Sequence, residues 1–144
     1  MSSEKQFYQQ QANTLKTNGL VLLNERPCKI IECHSTKVGK HGHAKVTLLA
    51  IDIFSGKKIE HCFQASANIE VPVIERKEYE YIDEQDGYVI LMNTETFETR
   101  EDIKCEEKIM NQISDLLSKM KTVSVSVQQY GELTKIIEVK ELKN

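Results

Sequence analysis

The sequence predicts a mainly β chain of two small β-barrels, the second carrying one helix between its third and fourth strands. Three observations predict this. Short runs of Val, Ile and Leu recur along the chain, separated by Gly and polar turns. Pro72, in Asn68-Ile69-Glu70-Val71-Pro72, marks a junction, because proline cannot donate to a central ladder. Beyond it, one stretch changes from strand spacing to helical spacing, with three strand-like segments before it and two after.

Residues 1–17 are polar and rich in Gln and Asn, which suggests a tail with at most one short helical turn. Leu20 to Leu23 is a short apolar strand, broken by Asn24-Glu25-Arg26-Pro27. Cys28 to Cys33, with Ile30 and Ile31, is the next strand. After a glycine-bearing turn, Ala44 to Phe54 is rich in Val, Leu and Ile, and Asp52 falls near its end. Ser55-Gly56-Lys57-Lys58 turns the chain into a strand from Ile59 to Phe63. These segments form the first barrel, over residues 18–71.

The second module, residues 72–144, begins with a strand from Val73 to Ile82. Asp86-Gly87 is a hairpin signal and Tyr88 to Met92 follows as a strand. Phe97 to Ile103 is the third strand. Ile109, Met110, Ile113, Leu116, Leu117 and Met120 then fall on one helical face, opened by Glu106 and Glu107 and closed by Lys119 and Lys121, as the helix dipole prefers. Val123, Val125 and Val127 alternate with serines, predicting a half-buried strand, and after Gly131 the last strand covers Ile136 to Val139. Three strands, a helix and two strands is the layout of an OB-fold.

The chain has 144 residues, 40% hydrophobic and 28% charged, a composition that excludes a disordered polymer. No apolar run approaches the ~18 residues that cross a bilayer, so no membrane partner is expected. The N-terminus has no apolar signal core, and the four cysteines (Cys28, Cys33, Cys62, Cys105) make no C-x-x-C pair. Reduced thiols in a cytoplasmic protein are the expectation, with nuclear presence left open. Net charge is -3 but unevenly spread: +3 up to Pro72 and -6 from Val73 onward. That division fits either ordinary solvated surfaces or a basic module with a polyanionic partner.

Ser35 to Lys45, S-T-K-V-G-K-H-G-H-A-K, concentrates cations on a turn and puts Lys40 between Gly39 and Gly42. A phosphate-binding P-loop is excluded: His34 stands where its first Gly belongs, and a strand rather than a helix follows. A metal site from Cys33, His34, His41 and His43 is weakened because adjacent Cys33 and His34 point to opposite faces of a strand. A catalytic lysine needs burial to lower its pKa, which a turn tip does not supply. The remaining alternatives are an ordinary exposed hairpin and an electrostatic probe, in which the glycines allow a tight tip and Lys40 projects into a polyanionic space.

Lys37-Val38-Gly39-Lys40-His41-Gly42-His43-Ala44-Lys45 closely resembles the hypusination loop of the eukaryotic and archaeal translation initiation factor 5A family. Asn18-Gly19, Arg26-Pro27-Cys28-Lys29-Ile30, Ile51-Asp52-Ile53-Phe54-Ser55-Gly56-Lys57-Lys58, Val71-Pro72, Gln85-Asp86-Gly87-Tyr88 and Arg100-Glu101-Asp102 resemble family segments in the same order. The resemblance implies an N-terminal SH3-like barrel followed by the OB-fold, and a translation elongation factor rather than an enzyme. It implies that Lys40 is converted to hypusine with spermidine, by deoxyhypusine synthase and deoxyhypusine hydroxylase, and that no other cofactor is used. It also implies ribosome and P-site tRNA as partners, relief of stalling at sites such as proline runs, and help in termination. Lys37, Gly39, His41, Gly42, His43 and Lys45 are then the loop that meets the modifying enzymes and the ribosome. An unmodified RNA-binding adaptor of the same fold is the alternative. The sequence departs from the family pattern at Val38, where eukaryotic members usually have Thr. It also lacks the longer acidic N-terminal extension of many eukaryotic members, and its ending, Leu133 to Asn144, reads as a strand of archaeal type rather than a helix.

Overall fold

The computed structural model describes residues 4–37 and 44–143, which divide into two compact units between Val73 and Ile74, two residues beyond the boundary expected from sequence. The first unit is an SH3-like barrel. Its strands are β1 (Gln6–Gln11), β2 (Leu20–Leu23), β3 (Arg26–Thr36), β4 (Lys45–Asp52), β5 (Lys58–Gln64) and β6 (Asn68–Val73), with a 3-10 turn at Ala12–Thr14. β2-β3-β4-β5 form an antiparallel meander and β1 pairs with β6. Strict alternation builds the core: Val46, Leu48 and Ala50 of β4 are buried while their neighbours are not, as the two-residue period of a strand requires. Val21, Leu23, Cys28, Ile30, Ile69 and Val71 close around them.

The expected N-terminal tail over residues 1–17 is corrected here. Gln6–Gln11 is strand β1, in antiparallel register with β6 from Gln6 opposite Val73 to Gln11 opposite Asn68. Its continuation is also anchored, because Ala12 and Leu15 are core residues and the Ala12 and Asn13 amides donate to the Ala67 and Ala65 carbonyls. A mostly exposed glutamine strand carries no hydrophobic alternation, so its pairing was not visible in sequence.

The second unit is the OB-fold. β7 (Glu75–Gln85), β8 (Tyr88–Asn93) and β9 (Thr99–Lys104) form a meander. Helix α1 (Glu107–Ser118) follows, and the chain returns as β10 (Val123–Tyr130), which pairs with β7, and β11 (Leu133–Glu141). The strand order β11-β10-β7-β8-β9, with the helix between the third and fourth strands, is that of the OB-fold. α1 buries Ile113 completely and packs Ile109, Met110 and Leu116 on the same core as Val89, Leu91, Ile103, Val125 and Val127. Just past the end of the helix at Ser118, Met120 takes a left-handed conformation (φ 59°), with the Lys121 amide reaching back to the Leu116 carbonyl at 3.1 Å and the Met120 amide to that of Leu117 at 2.9 Å. The third strand starts at Thr99 rather than Phe97, since Phe97 lies in the preceding turn at φ 63°. No described helix is long and apolar enough to cross a membrane.

β10 differs from the half-buried strand expected of a Val/Ser alternation: Ser124 and Ser126 are as buried as the valines. β10 lies between β7 and β11, whose long charged side chains roof its serine face. Lys140 reaches Glu78 at 3.4 Å and Glu138 at 3.6 Å, while Arg76 meets Glu138 at 3.5 Å and the Ser126 hydroxyl at 3.5 Å. Serine is small enough to lie under that layer, and the aliphatic stems of the charged residues cover it.

Ile113→Ala should destabilise the OB-fold by ~3 kcal/mol, as expected for emptying a fully buried site, and Leu117→Ala, on the exposed side of α1, should change it by under ~0.5 kcal/mol. Denaturant unfolding of the two variants, followed by signals from the second unit, checks this; equal losses would mean that α1 packs in a different rotation.

Candidate functional site

The basic loop is mounted on the hairpin of β3 and β4. The ladder runs from Cys28 opposite Asp52 to Thr36 opposite Lys45, with a bulge at Ile31. Lys37 and Lys45 stand exposed at the outer end of the ladder, one on each strand exit. Ala44 is still tied down, its carbonyl accepting from the Ala65 amide at 2.9 Å. Gly39, Lys40, His41, Gly42 and His43, together with Val38, lie outside the described residues. The two ends of the loop therefore leave adjacent, paired strands whose inner stretch is locked in the core through Val46 and Leu48.

The hairpin's inner end holds a feature that the sequence did not single out. The alternation that buries Val46, Leu48 and Ala50 also carries Asp52 inward, leaving its side chain 5% exposed. A buried carboxylate needs partners. Arg26 Nε, from the start of β3, donates to Asp52 Oδ2 at 2.7 Å, and the Phe54 and Ser55 amides donate to Oδ1 at 2.8 and 3.0 Å. Burial alone would raise the carboxyl pKa. The Arg26 hydrogen bond and the Phe54 and Ser55 donors outweigh it and hold the pKa at about 2. The Asp52 carbonyl also accepts from Gly56 at 2.8 Å, and Gly56 takes φ +78°, a conformation in which a side chain would be strained. Asp52 thus joins both strands of the hairpin to the turn before β5.

The remaining chemistry-bearing residues near the stem do not converge. Adjacent Cys33 and His34 diverge as alternation demands: Cys33 packs on the core and donates to the Leu15 carbonyl at 3.6 Å, while His34 is exposed 3.9 Å from Glu32. Among the described residues no group of His, Cys, Asp and Glu is arranged to hold a metal ion. The Cys28 thiol is pushed up to about 11, by burial first and by the Asp52 charge second, which leaves it protonated and unreactive.

In the OB-fold, Arg100 is the corresponding brace. Its Nε and Nη2 grip Asp102 at 2.7 Å each, and its Nη1 reaches the Tyr79 hydroxyl and Gln129 Oε1, both at 3.0 Å. It joins β9 to β7 and β10, which explains why Gln129 is buried without being orphaned.

Two small β-barrels, one with a cationic loop sequence on a braced hairpin, define a two-module, mainly β protein. Comparison with known proteins agrees. Residues 5–67 match the family model "Translation initiation factor 5A-like, N-terminal", and residues 73–140 match "Eukaryotic elongation factor 5A hypusine, DNA-binding OB fold". Eukaryotic translation initiation factor 5A-1 of Saccharomyces cerevisiae is 48% identical over 100 residues, covering 69% of this chain and 63% of the yeast protein. The 5A-3 protein of Solanum tuberosum is 42% identical over 123 residues, covering 83% of this chain and 76% of the potato protein. Among solved structures, a translation initiation factor 5A family protein of Naegleria fowleri superposes with a TM-score of 0.79 at 38% identity, covering 96% of this chain and 99% of that one. The factor 5A of Methanococcus jannaschii gives 0.73 at 27% identity, covering 93% and 95%. The chain belongs to the translation initiation factor 5A family, whose members are translation factors rather than enzymes.

Asp52→Asn should cost ~2 kcal/mol at neutral pH, the worth of a carboxyl held near 2 against an ordinary 3.8. The folded pKa is the lower one, so the stabilisation is complete above the unfolded value of 3.8 and is lost as the pH falls through about 2. The gap between the native protein and the variant should therefore close across that acid window. Urea titrations at neutral and acid pH check it, and a gap independent of pH would remove the ionised carboxylate from the account.

Proposed function

We propose that this chain is a ribosome-binding translation factor whose Lys40, once converted to hypusine, steadies the P-site peptidyl-tRNA. It thereby promotes peptide-bond formation at stalled sites such as proline runs, and supports termination. The observation that carries the reading is the loop Lys37 to Lys45, with Lys40 between Gly39 and Gly42, at the end of the β3–β4 hairpin in a chain of this family. Deoxyhypusine synthase would transfer an aminobutyl group from spermidine to Lys40, and deoxyhypusine hydroxylase would complete the side chain. The product is longer than lysine and carries two amines, which suits a deep phosphate-lined cleft better than a single ammonium does. The bond-forming chemistry belongs to the ribosome; this protein contributes position and charge. Lys37, Gly39, His41, Gly42, His43 and Lys45 form the contact loop, with the glycines keeping bulk away from the tip. The cytoplasm is the compartment where this work would be done.

The charge division supports the reading. The basic half carries the loop, and the half at -6 repels phosphates in general, so its contacts would be to protein or to selected tRNA positions.

Mass spectrometry of peptides spanning Lys40 from the native source should show hypusine, and protein made in bacteria should show plain lysine. Native peptides that are nearly all unmodified would refute the proposal. Lys40→Ala should abolish support of translation through proline runs while changing stability by under ~0.5 kcal/mol. Lys40→Arg should fail equally, since arginine keeps the charge but cannot accept the aminobutyl group.

Charge reversal at Lys37 or Lys45 should weaken ribosome binding and flatten its log-log salt dependence by about one unit per lost phosphate contact. Reversal at exposed Lys143 should do much less. A titration at several salt concentrations decides it, and equal flattening by Lys143 would mean that the loop is not the main electrostatic contact.

A further inference from the structure

The OB-fold has a second candidate surface, away from any role given to the basic loop. The outward residues of β8, Tyr88 and Ile90, form an apolar strip, since Val89 and Leu91 between them point into the core. With Gln85, Asp86 and Glu101 they line a cleft of about 280 Å³. A register shift shapes it: Val89 faces Ile103 and Leu91 faces Arg100, so β9 places both Glu101 and Asp102 opposite Ile90. On the other side Ile90 faces Asp83 of β7. The two carboxylates of the bulge are not equivalent. Asp102 is neutralised by the two-pronged grip of Arg100, whereas neither Glu101 nor Asp86 has an ion pair among the described residues. Lys104 stands across from Tyr88 but is not part of the cleft lining.

The field around the cleft is negative. The Tyr81 hydroxyl is pushed upward by burial and then by Asp83 and Glu84, and the Cys105 thiol by burial and then by Glu84 and Glu106. Cys105 is held at this end of the sheet, its amide donating to the Gly87 carbonyl at 2.8 Å. The face of the second and third strands and the first hairpin of an OB-fold, here β8, β9 and the turn at Asp86-Gly87, are where such folds take up oligonucleotides. Unpaired carboxylates there oppose a phosphate chain and favour a cation. A tyrosine 43% exposed beside two carboxylates offers a flat surface for stacking and acceptors for a planar fork of donors.

We propose that this cleft is a docking site for an arginine-bearing protein segment, with the guanidinium on Tyr88 between Asp86 and Glu101 and an adjacent apolar side chain on Ile90. Charge complementarity and the stacking geometry select the occupant, and the site does not depend on modification of Lys40.

The probe is a fluorescein-labelled peptide of alternating Leu and Arg, titrated into the full chain by anisotropy, with the Leu-Lys version and an oligouridylate in parallel. Arginine should bind more tightly than lysine, and the oligouridylate should leave the cleft untouched. Amide NMR shifts should centre on Gly87 to Ile90 and Glu101. Asp86→Asn with Glu101→Gln should weaken the arginine peptide about fivefold, the size expected for lost exposed ion pairs, and Tyr88→Ser should remove the preference for arginine. Glu132→Gln, in the turn at the other end of β10, should change nothing. The proposal is overturned if the arginine peptide does not bind, if Glu132→Gln costs as much as the cleft variant, if the shifts scatter over the acidic surface, or if the oligouridylate takes the cleft. The shift map on the unmutated protein stands even if a variant fails to fold.

Discussion

The ion pair between Arg26 and Asp52 is the constraint around which the first module is organised. It joins the first residue of β3 to the last of β4, at the inner end of the hairpin that carries the basic loop. Its existence follows from a conflict. The alternation of β4 is set by Val46, Leu48 and Ala50, and a two-residue period leaves Asp52 no choice but the inward face. Removing Arg26 would leave the buried Asp52 carboxylate without its cation, which ties the hairpin to the register that pairs the two. The same carboxylate also caps the turn that follows, through Phe54 and Ser55.

At the other end of the ladder the chemistry reverses. The residues beyond Cys33 on β3 are exposed, and the cations Lys37 and Lys45 enter and leave the loop from solvent. A core-rooted stem fixes where the loop begins and ends.

The OB-fold solves a similar problem with different means. Arg100 bridges β9 to Tyr79 of β7 and Gln129 of β10, and by neutralising Asp102 it leaves Glu101 as the carboxylate of the bulge with no ion pair among the described residues. One arginine thus serves the barrel and tunes the charge of its outer face. Within one short chain, the half up to Pro72 carries a net charge of +3 and the half from Val73 onward -6.

Much of this was determined by sequence alone. A run rich in Val, Leu and Ile located β4, helical spacing located α1 around Ile113, and the order of strands and helix specified the OB-fold, because those signals lie in local stretches of side-chain polarity. The loop from Lys37 to Lys45 identified the family by its residues without any coordinates. What only the tertiary structure decided lacks a local signal. β1 is a glutamine strand that becomes a strand because β6 offers it backbone partners. Ser124 and Ser126 are buried because charged side chains of β7 and β11 extend over them. Arg26 with Asp52, and Arg100 with Tyr79 and Gln129, are pairs distant in sequence, and a pairing between distant residues exists only once the strands between them have chosen their neighbours.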